Sequence, residues 1–503
     1  MDGAGFAMAA DLARLAALSP LAYDQCREAE AKTLGVRVST LDAEVGKLRK
    51  GAPAFHDYDA CRPPEFSDEA LALRFADRHA EDLRYVAAWG KWMQWTGNVW
   101  RQDDTLTAFS LARTVCREQS AIANDPHIAE NLASAKTIAA VERLAKADRR
   151  LAATIDQWDA DLWVLNTPGG VIELRTGKLR PNQPSDYCTK ITAVAPDGDC
   201  PIWLGFLDRV TGGDKELQQF LQRIAGYSLT GDISAHALFF AHGSGGNGKG
   251  VCINTLSAVL GDYAKVATMD AFTASQNDRH KTELAMLRGA RLVVAQETEE
   301  GRRWAESRIK ALTGGDPITA NFMRQDHFTF MPQFKLLIAG NHKPGLRKVD
   351  DAMRRRMNLI PFTQTIGPNE RDPNLPEKLK AEWPGILQWA VNGCSQWREV
   401  GLAPPEAVTA ATNEYLAEED SGAIWLGECC KIDPNLKTGA SDLFASWKEW
   451  ADRAGEYAGT QKSFSESLKS RGFEKDRLTG GKAAFRGIGL NASLIGRGGP
   501  YDD

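Results

Sequence analysis

Apolar residues in the middle of this chain fall into short continuous runs: His236 to Ala241, Leu292 to Ala295 and Phe334 to Ala339. Each run is too short for a helix and is bounded by glycine or polar residues, which predicts buried strands. Val251 to Leu260 instead has helical apolar spacing and stops at Gly261. Between Ile318 and Met331 polar and apolar residues alternate, the period of a β-hairpin. Residues 1 to about 50 are helix-forming, and Ser39 to Glu44 offers a cap before a helix that ends near Gly51. From 65 to 200 the pattern predicts helices over Glu69 to His79, Leu106 to Gln119 and Asn131 to Lys146. Strand-like pieces there contain Trp89, Trp92, Trp95 and Trp100, and Asn166 to Leu174 with Arg175 to Leu179 reads as two strands joined by tight turns. Near the C-terminus, Ser441 to Ala454 puts Leu443, Phe444, Trp447 and Trp450 on one helical face. Gln461 to Ser470 forms a second helix, and Gly472 to Leu490 reads as paired strands around Thr479-Gly480-Gly481.

Composition narrows the classes. A chain of 503 residues exceeds one hydrophobic core, so about three or four domains are expected. A net charge of −5 announces no global polyanion partner, and any nucleic-acid surface must be local. The nine cysteines show no C-x-x-C pair, which argues against structural zinc or a disulfide framework and fits a reducing cytoplasm. Met1 to Leu18 carries Asp2 and Asp11 without a basic start, so it reads as a helix and not a signal peptide. Apolar runs such as Leu336 to Ala339 fall far short of the ~20 residues that span a bilayer, so no membrane partner is expected. The tryptophan group, with Lys91 the one basic residue inside it, is assigned to the core of a small sheet, not to a base-stacking platform.

The chemistry concentrates after the first central strand. Gly243-Ser244-Gly245-Gly246-Asn247-Gly248-Lys249-Gly250 is a glycine-rich loop between a strand and a helix, in which backbone N–H groups turn toward phosphate oxygens and Lys249 supplies a point charge for the β and γ phosphates. Gly250 stands where a Ser or Thr hydroxyl usually binds Mg²⁺. The strand ending Gln296-Glu297-Thr298-Glu299 delivers acids where a water-activating carboxylate is expected; Glu297 is the first candidate and Glu299 the second. Asn341, after the third strand, is placed to bond both a γ-phosphate and a lytic water. Arg354-Arg355-Arg356 precedes a further strand and reads either as a solvated patch or as arginine fingers for a neighbouring subunit. The helix Lys215 to Gly226 is expected beside the adenine.

These ordered motifs, with Leu312-Thr313-Gly314-Gly315-Asp316-Pro317-Ile318-Thr319-Ala320 and Asp350 to Met357, resemble the superfamily 3 helicases, in particular the phage and plasmid primase-helicases of satellite-phage and poxvirus type. The resemblance implies an α/β fold: a P-loop, AAA+-like ATPase core with an α+β N-terminal domain and a C-terminal winged-helix-like domain. It divides the chain into a helical extension (1–55), an α+β domain (56–200), the motor (201–366), a helical lid or connector (367–430) and a winged-helix-like DNA-binding domain (431–503). It implies ATP and Mg²⁺ as cofactors, Lys249 as the Walker A lysine, Glu297 as the Walker B acid and metal contact, Asn341 as the sensor, and Arg355 or Arg356 as the finger. It makes the hairpin a tracker of single-stranded DNA, with Arg324 and His327 at the tip and Lys310 nearby. Lys462, Lys469, Arg471, Lys482 and Arg486 form a basic C-terminal surface for sequence-blind phosphate contacts. The expectation is a hexameric helicase, encoded by a phage or mobile element and acting in the bacterial cytoplasm on single-stranded and forked DNA, moving 3′ to 5′, with a primase or other replication proteins as partners. Its rivals are a full primase-helicase and an ATP-switched DNA-binding assembly protein.

Overall fold

The computed structural model describes residues 11, 12, 14–16, 18, 20–51, 63–274, 281–296, 301–321, 327–346 and 349–491. They divide into two compact units. One comprises the described residues up to His79 together with Leu106–Leu151, and the other Ala80–Thr105 with the described residues from Ala152 onward.

The first unit is helical. α1 (Pro20–Thr33) and α2 (Val38–Gly51) pack through Tyr23, Ala31, Leu41 and Val45. α3 (Asp68–His79), α4 (Thr107–Ile122), α5 (Pro126–Leu132) and α6 (Ala135–Ala145) bury Phe75, Ala112, Val115 and Val141. The helix expected over Asn131 to Lys146 is two helices, because Ser134 caps α6 by accepting Thr137 N–H at 3.2 Å.

The second unit starts with the antiparallel sheet β1 (Leu83–Val86), β2 (Lys91–Trp95) and β3 (Trp100–Gln102). Its tryptophans are core, as their surroundings predict: Trp100 is fully buried, 5.6 Å from Trp158 and stacked at 6.3 Å on Tyr187. These rings, and the Asn166 amide donating to Asn98 O at 2.8 Å, tie β1–β3 to the residues after 152. The span 56–200 is therefore shared between the two units. β4 (Val164–Thr167), β5 (Gly170–Glu173) and β6 (Lys178–Arg180) form a second meander, three strands where two were expected, since Pro168-Gly169 turns the chain inside Asn166 to Leu174.

The centre is a five-stranded, all-parallel sheet in the order β13 (Met357–Pro361), β7 (Leu238–His242), β12 (Lys335–Gly340), β9 (Leu292–Gln296) and β8 (Ala264–Val266). Its strands are largely apolar because both faces are covered. Phe239, Ala241, Val294 and Leu337 pack with α7 (Pro201–Thr211), α8 (Lys215–Leu229), α9 (Lys249–Leu260) and α14 (Trp383–Val400). The alternate residues Leu238, Phe240, Val293 and Ile338 pack with α11 (Glu306–Gly314) and α15 (Glu406–Glu418). The short helices α10 (Lys281–Met286), α12 (Asp351–Arg356) and α13 (Leu375–Ala381) complete this body. Residues 383–400, expected in a separate connector, belong to the sheet's own core through Ile386, Leu387 and Trp389. The predicted hairpin is present: β10 (Ile318–Ala320) pairs antiparallel with β11 (Phe328–Phe330).

Residues from Ser421 build a smaller core from α16 (Ser421–Cys429), α17 (Ala440–Ala454), α18 (Gln461–Ser470) and an antiparallel sheet ordered β14 (Cys430–Gly439), β16 (Ala483–Leu490), β15 (Glu474–Arg477). Both C-terminal helices and the β15–β16 hairpin follow the sequence pattern; β14 and α16 extend this fold upstream of residue 431. Among the described residues no helix is long and apolar enough to cross a membrane.

Candidate functional site

The parallel register brings the C-terminal ends of β7, β12 and β9 to one edge of the sheet, and the glycine loop 243–248 leaves β7 there. Two glycines are required. A Cβ at Gly243 would lie 2.1 Å from Phe362 O, and Gly248 turns into α9 with φ 84°, where a side chain would strike Val210.

Lys249, the first residue of α9, is buried beneath this loop. Its ammonium meets Gly243 O at 2.6 Å, Ser244 O at 3.3 Å, Asn247 Oδ1 at 3.1 Å and Asn341 Oδ1 at 3.2 Å. All four acceptors are neutral, and burial pulls the Lys249 pKa down. A buried cation among neutral dipoles is poised for an anion, which supplies the countercharge that the fold withholds. Ser244, Gly245 and Gly246 are exposed along the crown of the loop. Asn247 is a brace: its Nδ2 donates to Phe362 O at 2.9 Å and joins the loop to the end of β13.

At the end of β9, Gln296 Nε2 donates to Asn254 Oδ1 at 2.6 Å. A Cβ on Gly250 would have only Gln296 Oε1 within reach, at 3.8 Å. Glu297 and Glu299 lie outside the described residues, as does Arg324. Among the described residues no group of three or more His, Cys, Asp or Glu is arranged to hold a metal. Among the described residues the side-chain oxygens at this point are those of Gln296 and Asn254, amides of the hard class that suits Mg²⁺.

Beside the loop lies a mainly apolar cleft of about 590 Å³, lined by Ile202, Phe206, Val251, Ile366 and Leu375. α7 borders this cleft, whereas Lys215 to Gly226 packs against α14. Arg209 donates to Glu370 at 2.6 Å and to Thr365 O at 3.0 Å at the rim, and the Arg371 guanidinium lies over Gly246. Sequence reasoning missed Arg209, Glu370 and Arg371, because no local motif marks residues that only the chain's return past β13 brings to the loop.

The arginines of α12 divide. Arg356 is half-buried, donating to Thr313 Oγ1 at 3.0 Å and Ala352 O at 2.9 Å, whereas Arg355 is exposed and its Nε bonds only the helix backbone at Asp351 O, 3.2 Å away. α12 leads into the start of β13, where Met357 pairs with Leu238. Arg355 thus lies at the end of the sheet opposite Lys249.

The expected DNA contacts divide as well. Lys310 is ion-paired with Asp350, the N-cap of α12, and Arg471 is paired through both guanidinium nitrogens with Asp420, the N-cap of α16. Both cations are engaged in ion pairs within the fold. Lys462, Lys469, Lys482 and Arg486 are exposed, and His327 is exposed at the start of β11.

Comparison with known proteins follows this geometry. Residues 72–212 match the family described as D5 N terminal like, and residues 241–356 match a family of unknown function (DUF5906). The chain is 28% identical over 319 residues to a "Putative helicase" of Acanthamoeba polyphaga mimivirus, covering 58% of this chain and 33% of that protein. It is 25% identical over 260 residues to a "Putative helicase" of Frog virus 3, covering 47% of this chain and 26% of that protein. The chain thus spans about a third or less of these relatives. Among solved structures, the apo C-terminal region of NrS-1 aligns over 84% of this chain and 100% of its own, at 11% identity and a TM-score of 0.46. The family matches and the two viral relatives bear out the resemblance read from the motifs.

Proposed function

We propose that this relative of the phage and viral primase-helicases is an ATP-dependent DNA helicase motor. The observation that carries the reading is the Lys249 ammonium, buried under a glycine loop and within 3.2 Å of Asn341 Oδ1 at the shared edge of two parallel strands. This is where a triphosphate gains most from backbone N–H groups, the α9 N-terminus and a fixed cation. The sheet order, with the lysine strand between β13 and β12, supports an AAA+-like core.

In this reading the base occupies the cleft against Phe206 and Val251, and the phosphates displace the loop carbonyls from Lys249. Asn341 orients the attacking water, with Glu297 as base. Glu297 and the amides near Gly250 would hold Mg²⁺, which would supply charge neutralisation for the phosphates. Arg355, at the opposite end of its own sheet from Lys249, suits the γ-phosphate of a neighbouring subunit's site. That supports a ring; its being a hexamer and its 3′-to-5′ movement rest on the family resemblance alone. The β10–β11 hairpin and the exposed Lys462, Lys469, Lys482 and Arg486 of a winged-helix-like C-terminal domain would hold single-stranded or forked DNA through its phosphates.

Strand separation of a forked duplex with ATP and Mg²⁺, with turnover recorded in parallel and Lys249→Ala as control, tests this reading. Lysine-dependent unwinding is expected. DNA binding with nucleotide-dependent assembly and no turnover would overturn it in favour of an assembly switch, which the missing hydroxyl at Gly250 favours. Templated nucleotide incorporation would identify a primase activity.

A further inference from the structure

Past β13 the chain turns back along the glycine loop. Phe362 N–H donates to His242 O at 2.7 Å and Ile366 N–H donates to Gly246 O at 2.8 Å, so residues 362–366 are fastened to the loop from its root to its crown. A single helical turn, Pro368–Glu370, then returns Arg371 to the same crown. A Cβ on Gly246 would lie 2.7 Å from Arg371 Nη2 and 3.6 Å from its Cζ.

The neighbouring charges do not close on this arginine. Glu370 accepts from Arg209 at 2.6 Å and Asp372 from Lys378 at 2.6 Å, and these bonds hold both carboxylates below their usual range. Arg371 stands between two acids in sequence, yet among the described residues its one hydrogen bond runs from Nε to Ile366 O at 3.3 Å. That bond ties its stem to the turn and leaves the N–H groups of both terminal nitrogens without a protein acceptor. An unpaired guanidinium over a glycine loop suits an anionic ligand.

We propose that Arg371 binds nucleotide within its own subunit, its terminal nitrogens holding the diphosphate portion that ATP and ADP share. The proposal deepens the ATPase reading and rests on it. Arg371 lines the apolar cleft and also covers Gly246, so it stands where that cleft meets the loop curled over Lys249. A nucleotide laid from cleft to lysine passes the guanidinium before its last phosphate reaches Lys249. The two cations differ in kind. Lys249 is a buried point charge beneath the loop, whereas Arg371 is an exposed planar fork above it, free to follow the ligand. Arg209, on α7 of the same cleft, anchors the turn through Glu370 and Thr365 O, so this arm is built without a neighbouring subunit, unlike the role assigned to Arg355.

Equilibrium binding tests this without any turnover. The full chain and its Arg371→Ala, Arg371→Gln and Arg371→Lys variants, matched by circular dichroism, are titrated calorimetrically with ADP and with a non-hydrolysable ATP analogue in Mg²⁺. Arg371→Ala and Arg371→Gln should each weaken both nucleotides about tenfold, the loss of a charge-assisted contact. Arg371→Lys keeps the charge but neither the fork nor the bond to Ile366 O, and should weaken them only about threefold. That partial rescue separates a ligand contact from a role in holding the turn. Unchanged affinity in Arg371→Gln, equal losses in Arg371→Lys and Arg371→Gln, or a loss confined to the triphosphate would overturn the proposal, the last by moving the contact to the γ-phosphate. In these cases the parent binds nucleotide and Lys249→Ala does not, so the ATPase reading stands. A parent that binds neither nucleotide overturns both.

Discussion

Lys249 Nζ and Asn341 Oδ1 stand 3.2 Å apart although 92 positions separate them in sequence. The parallel pairing of β7 with β12 brings their strand ends together, so the loop's lysine and the amide that follows the neighbouring strand meet at one point. Lys249→Ala and Asn341→Ala should each lower ATP turnover by about 10²–10³-fold, and the double variant should fall little further, since residues acting as a unit are non-additive. Steady-state phosphate release checks this.

Gly250 has room for a hydroxymethyl group, with Gln296 Oε1 at ordinary contact distance from an added Cβ. Gly250→Ser should lower the Mg²⁺ concentration for half-maximal turnover by about threefold or more, by supplying the hydroxyl ligand common in phosphate-binding loops. A Mg²⁺ titration at fixed ATP measures the shift.

Arg355 and Arg356 should fail in different ways. Arg355→Ala leaves the fold intact and should reduce turnover by about 10³-fold without weakening nucleotide binding, the signature of a finger acting between subunits. Arg356→Ala breaks contacts with Thr313 and Ala352 and should destabilise the motor by about 1–2 kcal/mol. Nucleotide binding and urea unfolding of the two variants separate the effects.

Arg471 is held by Asp420 with both side chains mostly buried, 25% and 15% exposed. Arg471→Ala should cost about 2–4 kcal/mol, since it strands the Asp420 carboxylate. Asp420→Asn should cost less, because the amide keeps the α16 cap. Thermal unfolding of the two variants gives the order.

Lys335 begins β12 fully enclosed, donating to Thr230 O and Asp232 O and lying 4.5 Å above the Tyr227 ring. Burial, then the nearby Arg291, holds its pKa well below that of a free lysine. The folded state therefore releases this proton at lower pH than the unfolded state does. Lys335 costs stability while charged in both states, and that cost falls as pH rises from its folded pKa toward the unfolded value near 10.4. The buried thiols of Cys188, Cys252 and Cys430, pushed up to about 12 by burial, act oppositely, with stability falling above the usual thiol range. The stability of Lys335→Met relative to the parent should hence be greatest near neutral pH and shrink toward pH 10, as measured by urea unfolding across that range.

Local pattern determined much of this protein. Glycines 243–248 between an apolar run and an amphipathic one dictate strand, loop and helix. The apolar runs ending at Gln296 and Gly340 dictate strands, and the alternation around Thr319 and Thr329 dictates a hairpin, because these signals involve neighbours in sequence. The motifs also carried the family resemblance. Tertiary structure alone decided which strands lie side by side, and hence that Lys249 meets Asn341. It put α7 instead of α8 at the cleft beside the glycine loop, divided residues 56–200 between two units, and turned Lys310, Arg356 and Arg471 inward to Asp350, Thr313 and Asp420. A cation on an amphipathic helix reads the same whether it faces solvent or a carboxylate far along the chain, and packing between distant segments makes that choice.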